Sequence, residues 1–515
     1  MSDRKPGSSF ELSAHGRTES RPVRRDRGEP LRMLLLGDFT GRESRGVKEP
    51  LLGRKPRRVD RDNLDTFAGL RPELGGGTLT DADGRPLVFT SLDDLHPDFL
   101  WRNAGAFARF RQMRARLLDP EQFASAAAEL GGAGAAPSPP AAPEASRSPR
   151  SEGDSGGSPG GGPGGVLGGG LLDAAIAETS AQAQTGSEFV DALLRELVVD
   201  RVPATPGQEE LVGHLDRTAT EAMGRSLRSA EYRRLEALWR GVEFLVRRLD
   251  TDSSLELWLF DVSRPELVAD LVAHEEVPTG ELWRTLFQPD AGADAPRWGV
   301  WSPLDLAFGA SAAQLALLSR VNRLAAEAAV PCVAGAVEDL AGCSRAADLS
   351  DPVEWGSPGP EVVGIWSGLR ARPEAAWTSL VLPRLLLRAP YGRRTSPVQS
   401  FAFEELGEPA EHEQFVWGNG ALAACCVLGR EFNESGWEWS PLGSWELDRM
   451  PTPVYRDESG DEELKPGGEA LLPESAVAAL RELGLVPLVT VRGTDRLRLG
   501  PLTSLTGAPL AGGWA

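Results

Sequence analysis

The residues of this chain with chemistry to offer are five histidines, a few paired acids and four cysteines. Glu411-His412-Glu413 sets an imidazole between two carboxylates, which suits a general base with its orienter and suits a solvated turn or interface patch better. Glu404-Glu405 could hold a cation, but a hard divalent ion needs further oxygen ligands at set spacing, so a solvated or salt-bridged pair is the favoured reading. His15, His96, His214 and His274 lie far apart, and no histidine falls in H-E-x-x-H. The nearest approach to a phosphate-binding loop, Gly41 to Lys48, has Val47 before its lysine where glycine is required. The glycines between Gly160 and Gly170 fit G-x-G-x-x-G only through composition, since no strand precedes them. Outside the Gly-rich tract G-x-S-x-G is absent too. No catalytic, cofactor-binding or metal-binding residue is nominated, and no cofactor is expected.

The elements that would have to position such groups form two dense blocks. In the first, Met33 to Leu36 reads as a buried strand closed by Gly37-Asp38. Arg54 to Asn63 interleaves basic and acidic residues, as a solvated strand and turn or an interface element. Asn63 to Leu70 reads as a short helix, Leu87 to Phe89 as a strand, and Trp101 to Leu118 as an Arg-rich helix with Phe107, Phe110, Met113 and Leu117 on one face.

In the second block, Leu235, Leu238, Trp239, Val242, Leu245, Val246 and Leu249 keep a helical rhythm. Leu255 to Val262 alternates as a strand, and Ser263-Arg264-Pro265-Glu266 is a capping box. Ser311 to Ala329 followed by Cys332 to Val337 makes one helix-strand unit. Gln414 to Phe432 reads as a helix, and Val486 to Val491 as a last strand before an exposed tail. The fold class expected is α/β, with two α/β domains of mixed sheets.

Between the blocks, 21 of the 40 residues from Gly131 to Gly170 are Gly or Pro, too little apolar surface to offset chain entropy. As a Gly-rich coil this linker spans roughly 35 Å. After it, Leu171, Leu172, Ala175 and Ile176 fall at helical spacing, as do Phe189, Leu193, Leu197 and Val198. These short amphipathic stretches are a docking arm or ordinary helices of the second domain. The division expected is a disordered tail (1–30), a first domain (31–130), a disordered linker (131–170), a helical arm (171–226) and a second domain (227–515).

A formal charge of -20 opposes nonspecific binding to nucleic acid or anionic membrane. Cys332, Cys343, Cys425 and Cys426 lack C-x-x-C spacing, so reduced, buried thiols are expected. The Arg-containing first 30 residues carry no apolar stretch, and no segment approaches a membrane span. The expected compartment is the cytoplasm.

Three segments in order resemble the small subunit of the type VI secretion contractile sheath: Leu34-Leu35-Leu36-Gly37-Asp38-Phe39-Thr40-Gly41-Arg42, Arg54-Lys55-Pro56 to Asn63, and Ser91 to Pro97. The second block resembles the large subunit, at Tyr232 to Leu245, Val262-Ser263 with Glu266-Leu267, Leu382-Pro383-Arg384 to Tyr391-Gly392, Phe401 to Glu405, and Trp417-Gly418-Asn419.

The resemblance implies a cytoplasmic helical tube around an inner tube of stacked rings, attached to a baseplate, which contracts to drive that inner tube forward. It implies a mechanical polymer without an active site. In such sheaths strands join across neighbouring protomers by edge addition, and a recycling AAA+ ATPase recognises an N-terminal helix of the large subunit. On that basis Leu171, Leu172 and Ile176 are the ATPase contacts, with a permanently packed helix as the alternative.

The chain departs from the pattern in fusing subunits that are usually separate, in a tail poor in aromatics after Val491, and in abbreviated stretches such as Pro289 to Trp298. A non-polymerising, sheath-like adaptor at the baseplate or tube end is the second reading. A hydrolase on an α/β fold is the third, with no supporting constellation.

Overall fold

The computed structural model describes residues 25–26, 28–76, 79–132, 207–274, 276–288, 297–457 and 459–514. An interior strand of the sheet, Leu31–Gly37, has the sequence LRMLLLG, apolar nearly throughout because both faces are covered. Successive side chains point to opposite faces, so Met33 and Leu35 enter one core while Leu34 and Leu36 enter the other.

Both neighbours of this strand come from the second block. Leu255–Asp261 pairs with it in parallel along its whole length, from Leu31 opposite Leu255 to Gly37 opposite Asp261. On the other side Met33 to Leu36 runs parallel to Val300–Pro303. The α/β class with mixed strand directions therefore holds, and the two sequence blocks contribute to one sheet.

That sheet has ten strands, one of which, Ala307–Phe308, pairs with Cys332–Ala336 off the main path. Its parallel centre runs Leu255–Asp261, Leu31–Gly37, Val300–Pro303, Cys332–Ala336, Thr378–Leu382 and Val486–Val491, with antiparallel Arg57–Val59 at one edge and antiparallel Arg496–Leu499 and Trp445–Leu447 at the other. In chain order the parallel strands read second, first, third, fourth, fifth, sixth, the sequence of a doubly wound sheet. One face carries the helices Gln208–Arg228, Ala230–Arg248 and Ala421–Ser435; the other carries Arg264–Ala273, Ala312–Ala328, Pro360–Arg370 and Glu474–Glu482.

Local signals explain most of these elements. Ser263 and Glu266 cap the helix Arg264–Ala273 reciprocally, the Ser263 N–H donating to Glu266 Oε2 at 3.0 Å. The helix Ala312–Ala328 starts at Ser311, whose side chain accepts from the Gln314 N–H, and ends where Ala329 turns left-handed at φ 51° before Pro331.

Several expectations are corrected. The Arg-rich helix is two helices, Pro97–Asn103 and Ala108–Leu118. Between them Gly105 donates its N–H to Thr80 O at 2.8 Å, and a Cβ there would sit 2.6 Å from Asp81 O. The Asn63 to Leu70 helix is a 3-10 segment, Leu64–Gly69, interrupted by positive φ at Phe67 and Ala68. The helix expected from Gln414 begins at Ala421, because Trp417-Gly418 pairs with Leu385-Leu386. The tail after Val491 is packed, not exposed. Arg496–Leu499 adds a strand, Leu502 and Leu505 are fully buried, and Trp514 packs on Trp439.

The linker 131–170 lies outside the described residues but for the last helical turn at 131–132. The arm residues Leu171, Leu172 and Ile176, and the apolar stretch 189–198, also lie outside them. No helix among the described residues is long and apolar enough to cross a membrane.

Candidate functional site: the seam between the two blocks

The charged residues that the fold gathers lie where the two blocks meet. The loop after the strand Leu31–Gly37 carries Asp38, Thr40, Arg42 and Glu43, and Gly41 allows it to turn. Gly41 has φ +70°, and a Cβ there would lie 2.2 Å from Glu73 O. Asp38 accepts from the Arg42 N–H at 2.6 Å and the Glu43 N–H at 2.9 Å, which points the Arg42 side chain across the seam.

There Arg42 and Arg54 clamp Glu266 of the second block. Arg42 Nε is 3.1 Å from Oε2 and Arg54 Nη2 is 2.7 Å from Oε1. The Glu49 N–H adds a bond to Oε1 at 3.1 Å. Burial alone would raise the Glu266 carboxyl; hydrogen bonds from Arg54, the Ser263 N–H and Arg42 outweigh it and hold the group at about 2. Thr40 donates to Asp261 through its N–H at 2.9 Å and its hydroxyl at 2.7 Å. Burial nevertheless pushes Asp261 up to about 6.

Arg234, on the helix Ala230–Arg248, pairs with Glu43 of the first block and with Asp305, whose Oδ1 lies 3.5 Å from Arg234 Nε. Burial pushes the Asp305 carboxyl up to about 7, helped by Asp38 and Glu43 and opposed by Arg234. Further along the same helix, the indole of Trp239 donates to Phe39 O at 3.0 Å.

A second network sits under the segment Leu95 to Asp98. Arg388 holds Glu236 at 2.6 Å and Glu405 at 2.7 Å, and stacks 3.8 Å from the centre of the Tyr391 ring. The hydroxyls of Tyr391 and Tyr232 both donate to Leu95 O. Asp98 accepts from the Gln399 N–H, the Ser400 N–H and the Ser400 hydroxyl. Leu95 O and the Asp98 carboxylate of the first block are thus hydrogen-bonded by side chains and backbone of the second.

The quoted sequence motifs meet here: the loops at 38–42, 54–63 and 91–97 face the helix carrying Tyr232, the turn at Ser263, and the segments around Tyr391 and Glu405. Of the acids weighed for chemistry, Glu405 is buried in the Arg388 network and Glu404 pairs with Arg393. His412 donates through Nε2 to the Glu469 carboxylate at 2.8 Å and stacks on Trp417, while Glu413 pairs with Arg233. Glu236, Arg388, Arg234 and Asp305 were not foreseen. The available signal was Glu236 itself, which falls on the apolar stripe between Tyr232 and Trp239 and is wholly buried.

A doubly wound sheet binds ligands beyond the carboxyl ends of its strands. That region holds a cavity of about 460 Å³ lined by Ala237, Leu304, Asp305, Glu338, Asn419 and Leu422, among others. Arg234 lines its wall and Arg42 lies beyond it, both engaged in ion pairs to the chain's own acids. No group of three or more candidate metal ligands exists among the described residues. All four thiols are buried, and burial pushes Cys425 and Cys426 up to about 12, so they are poor thiolates. The arrangement fastens two sequence blocks together by buried, charge-assisted hydrogen bonds.

Residues 209–505 match the family described as EvpB/VC_A0108, tail sheath N-terminal domain. Residues 19–130 match that described as Type VI secretion system, VipA, VC_A0107 or Hcp2. The chain is 26% identical over 294 residues to the type VI secretion system sheath protein TssC1 of Pseudomonas aeruginosa. The match covers 56% of this chain and 59% of that relative, so the chain spans less than two thirds of its length.

Proposed function

Given that the chain belongs to the type VI secretion tail-sheath family, we propose that it is a structural subunit of the contractile sheath which supplies both halves of the protomer from one polypeptide. It polymerises around an inner tube, docks on a baseplate and contracts to propel the tube. The observation that carries this reading is the strand Leu31–Gly37 of the VipA-like region, inserted between two strands of the VipB-like region. Halves interlocked in that way move as one body, which is what a subunit transmitting force between neighbours requires.

The division into a small-subunit-like region (31–130), a linker (131–170), an arm (171–226) and a large-subunit-like region (227–515) belongs to this proposal. The linker fixes a one-to-one ratio of the halves and raises their local concentration. Contraction needs no catalytic group, since a sheath stores free energy in contacts that differ between two packings. The proposal places the polymer in the cytoplasm. It gives Leu171, Leu172 and Ile176 to a recycling AAA+ ATPase.

Negative-stain electron microscopy of the purified chain, alone and with its inner-tube protein, tests this. Hollow cogwheel-like tubes support the sheath subunit. Compact particles in both conditions support the non-polymerising adaptor instead.

A further inference from the structure

The two flanks of the sheet carry exposed patches of opposite prevailing charge. At one edge the short strand Arg57–Val59 and the loop before it present Lys48, Lys55 and Arg57, all exposed. Among the described residues none of these three side chains makes an ion pair, which stands out in a chain of net charge -20. Leu52 lies in the same loop and is 58% exposed.

On the far flank, the hairpin Val454–Arg456 and Glu462–Leu464 stands apart from the main sheet. It is anchored by Ala410 N to Arg456 O, and by Lys465 seated among the rings of Phe415, Trp417 and Tyr455. Its cross-strand pair Val454 and Leu464 is 45% and 62% exposed, and its turn and second strand carry Asp457, Asp461, Glu462 and Glu463. Arg456 and Arg394 pair with Glu462, while Asp461 makes no ion pair among the described residues.

Each surface is an apolar centre beside charges of one prevailing sign, Glu49 being the exposed acid of the basic loop and Arg456 the cation of the acidic hairpin, and the two are complementary. They cannot meet within one chain. Five strand spacings separate Arg57–Val59 from Thr378–Leu382, next to which the hairpin hangs, or about 24 Å at ~4.8 Å each. Basic residues on a short edge strand also guard it against indiscriminate pairing. That role accounts for Lys55 and Arg57, but not for exposed Leu52 or for the acid-rimmed apolar pair opposite.

We propose that the acidic hairpin of one copy docks on the basic loop and edge strand of a second copy, Val454 and Leu464 covering Leu52 inside a ring of ion pairs. Because the two patches differ, the contact is head-to-tail, and repetition gives an open helical array or a ring, not a closed two-fold dimer. This deepens the assembly reading above and rests on it, by naming the surface through which one copy recognises the next.

The test uses the full chain. Equal amounts of unlabelled and nitrogen-15-labelled protein are mixed under assembling conditions and treated with a zero-length carbodiimide cross-linker. Links between copies are expected from Lys48 or Lys55 to Asp461 or Glu463. Lys55→Glu with Arg57→Glu, and separately Asp461→Lys with Glu463→Lys, each raise the concentration for half-assembly about tenfold, and mixing the two reversed proteins lowers it again.

Tubes whose formation ignores both reversals overturn this contact while leaving the sheath reading intact. Small oligomers that respond to the reversals and recover on mixing support the contact while removing the sheath reading. A chain that stays monomeric at every concentration overturns both.

Discussion

Arg388 Nε lies 2.6 Å from Glu236 Oε1, in a pair whose carboxylate is wholly shielded from water. Each partner cancels a charge that the interior would not otherwise accept. Arg388→Met leaves Glu236 and Glu405 buried without their cation, and is expected to cost about 3–5 kcal/mol. Urea denaturation checks this. A loss below about 1 kcal/mol would mean that the network is solvated in solution.

Asp305 gives the seam a pH dependence. Its carboxyl sits at about 7 in the folded chain, chiefly through burial, against about 3.9 when unfolded. The folded state therefore binds this proton more tightly. The stability it contributes is complete below pH 4 and is lost as the pH rises through 7. Asp305→Asn, which cannot ionise, is expected to flatten that decline and to exceed the parent by on the order of 2 kcal/mol at pH 8. Parallel stability curves for the two proteins between pH 5 and 8 would refute this.

Glu266 works with the opposite sign. Held at about 2, it contributes stability that is present above about pH 4.5 and is lost as the pH falls through 2. Glu266→Gln is expected to weaken the protein at pH 7 and to change little at pH 2. Chemical denaturation at both values separates this from a simple packing defect, which would cost the same at each.

Trp239→Phe keeps the ring against Phe39 and Phe67 but leaves Phe39 O without its indole donor. The expected loss is about 1–3 kcal/mol, the usual cost of an orphaned buried acceptor. Equal stability of variant and parent would show that another donor takes its place.

Leu172→Asp tests the arm. Binding of the recycling ATPase in a pull-down is expected to disappear, with an unchanged thermal transition. Retained binding would remove Leu171, Leu172 and Ile176 from the ATPase contact.

The local parts of this structure were legible because local chemistry decides them. Leu34 to Leu36 declares a strand buried on both faces, and Ser263 with Glu266 declares a helix start. That the neighbours of Leu34 are Trp258 and Trp301 could not be read, since an apolar run announces burial without naming what covers it. Trp417 looked helical because three apolar residues in a row fit a strand and a helix equally well. The tail looked exposed because Leu502, Leu505 and Leu510 are spaced among Gly and Pro without either period, yet each is buried by tertiary contact; the alternation Arg496-Leu497-Arg498-Leu499 was the strand signal available there. Glu236 and Arg388 were hidden for a related reason: each is costly to bury alone, and only the fold brings them together. The seam was therefore legible as motifs and not as contacts.

The central claim is that both sheath-like regions build one interlocked protomer, and cutting the chain between them tests it most directly. A specific protease site placed at residue 150 is cleaved under native conditions and the product is sized. The account predicts that the fragments stay together as a single one-to-one species, with the amide protons of Met33 to Leu36 exchanging only on global unfolding. Fragments that separate without denaturant, or a strand at Met33 to Leu36 that exchanges as fast as a surface loop, would contradict it.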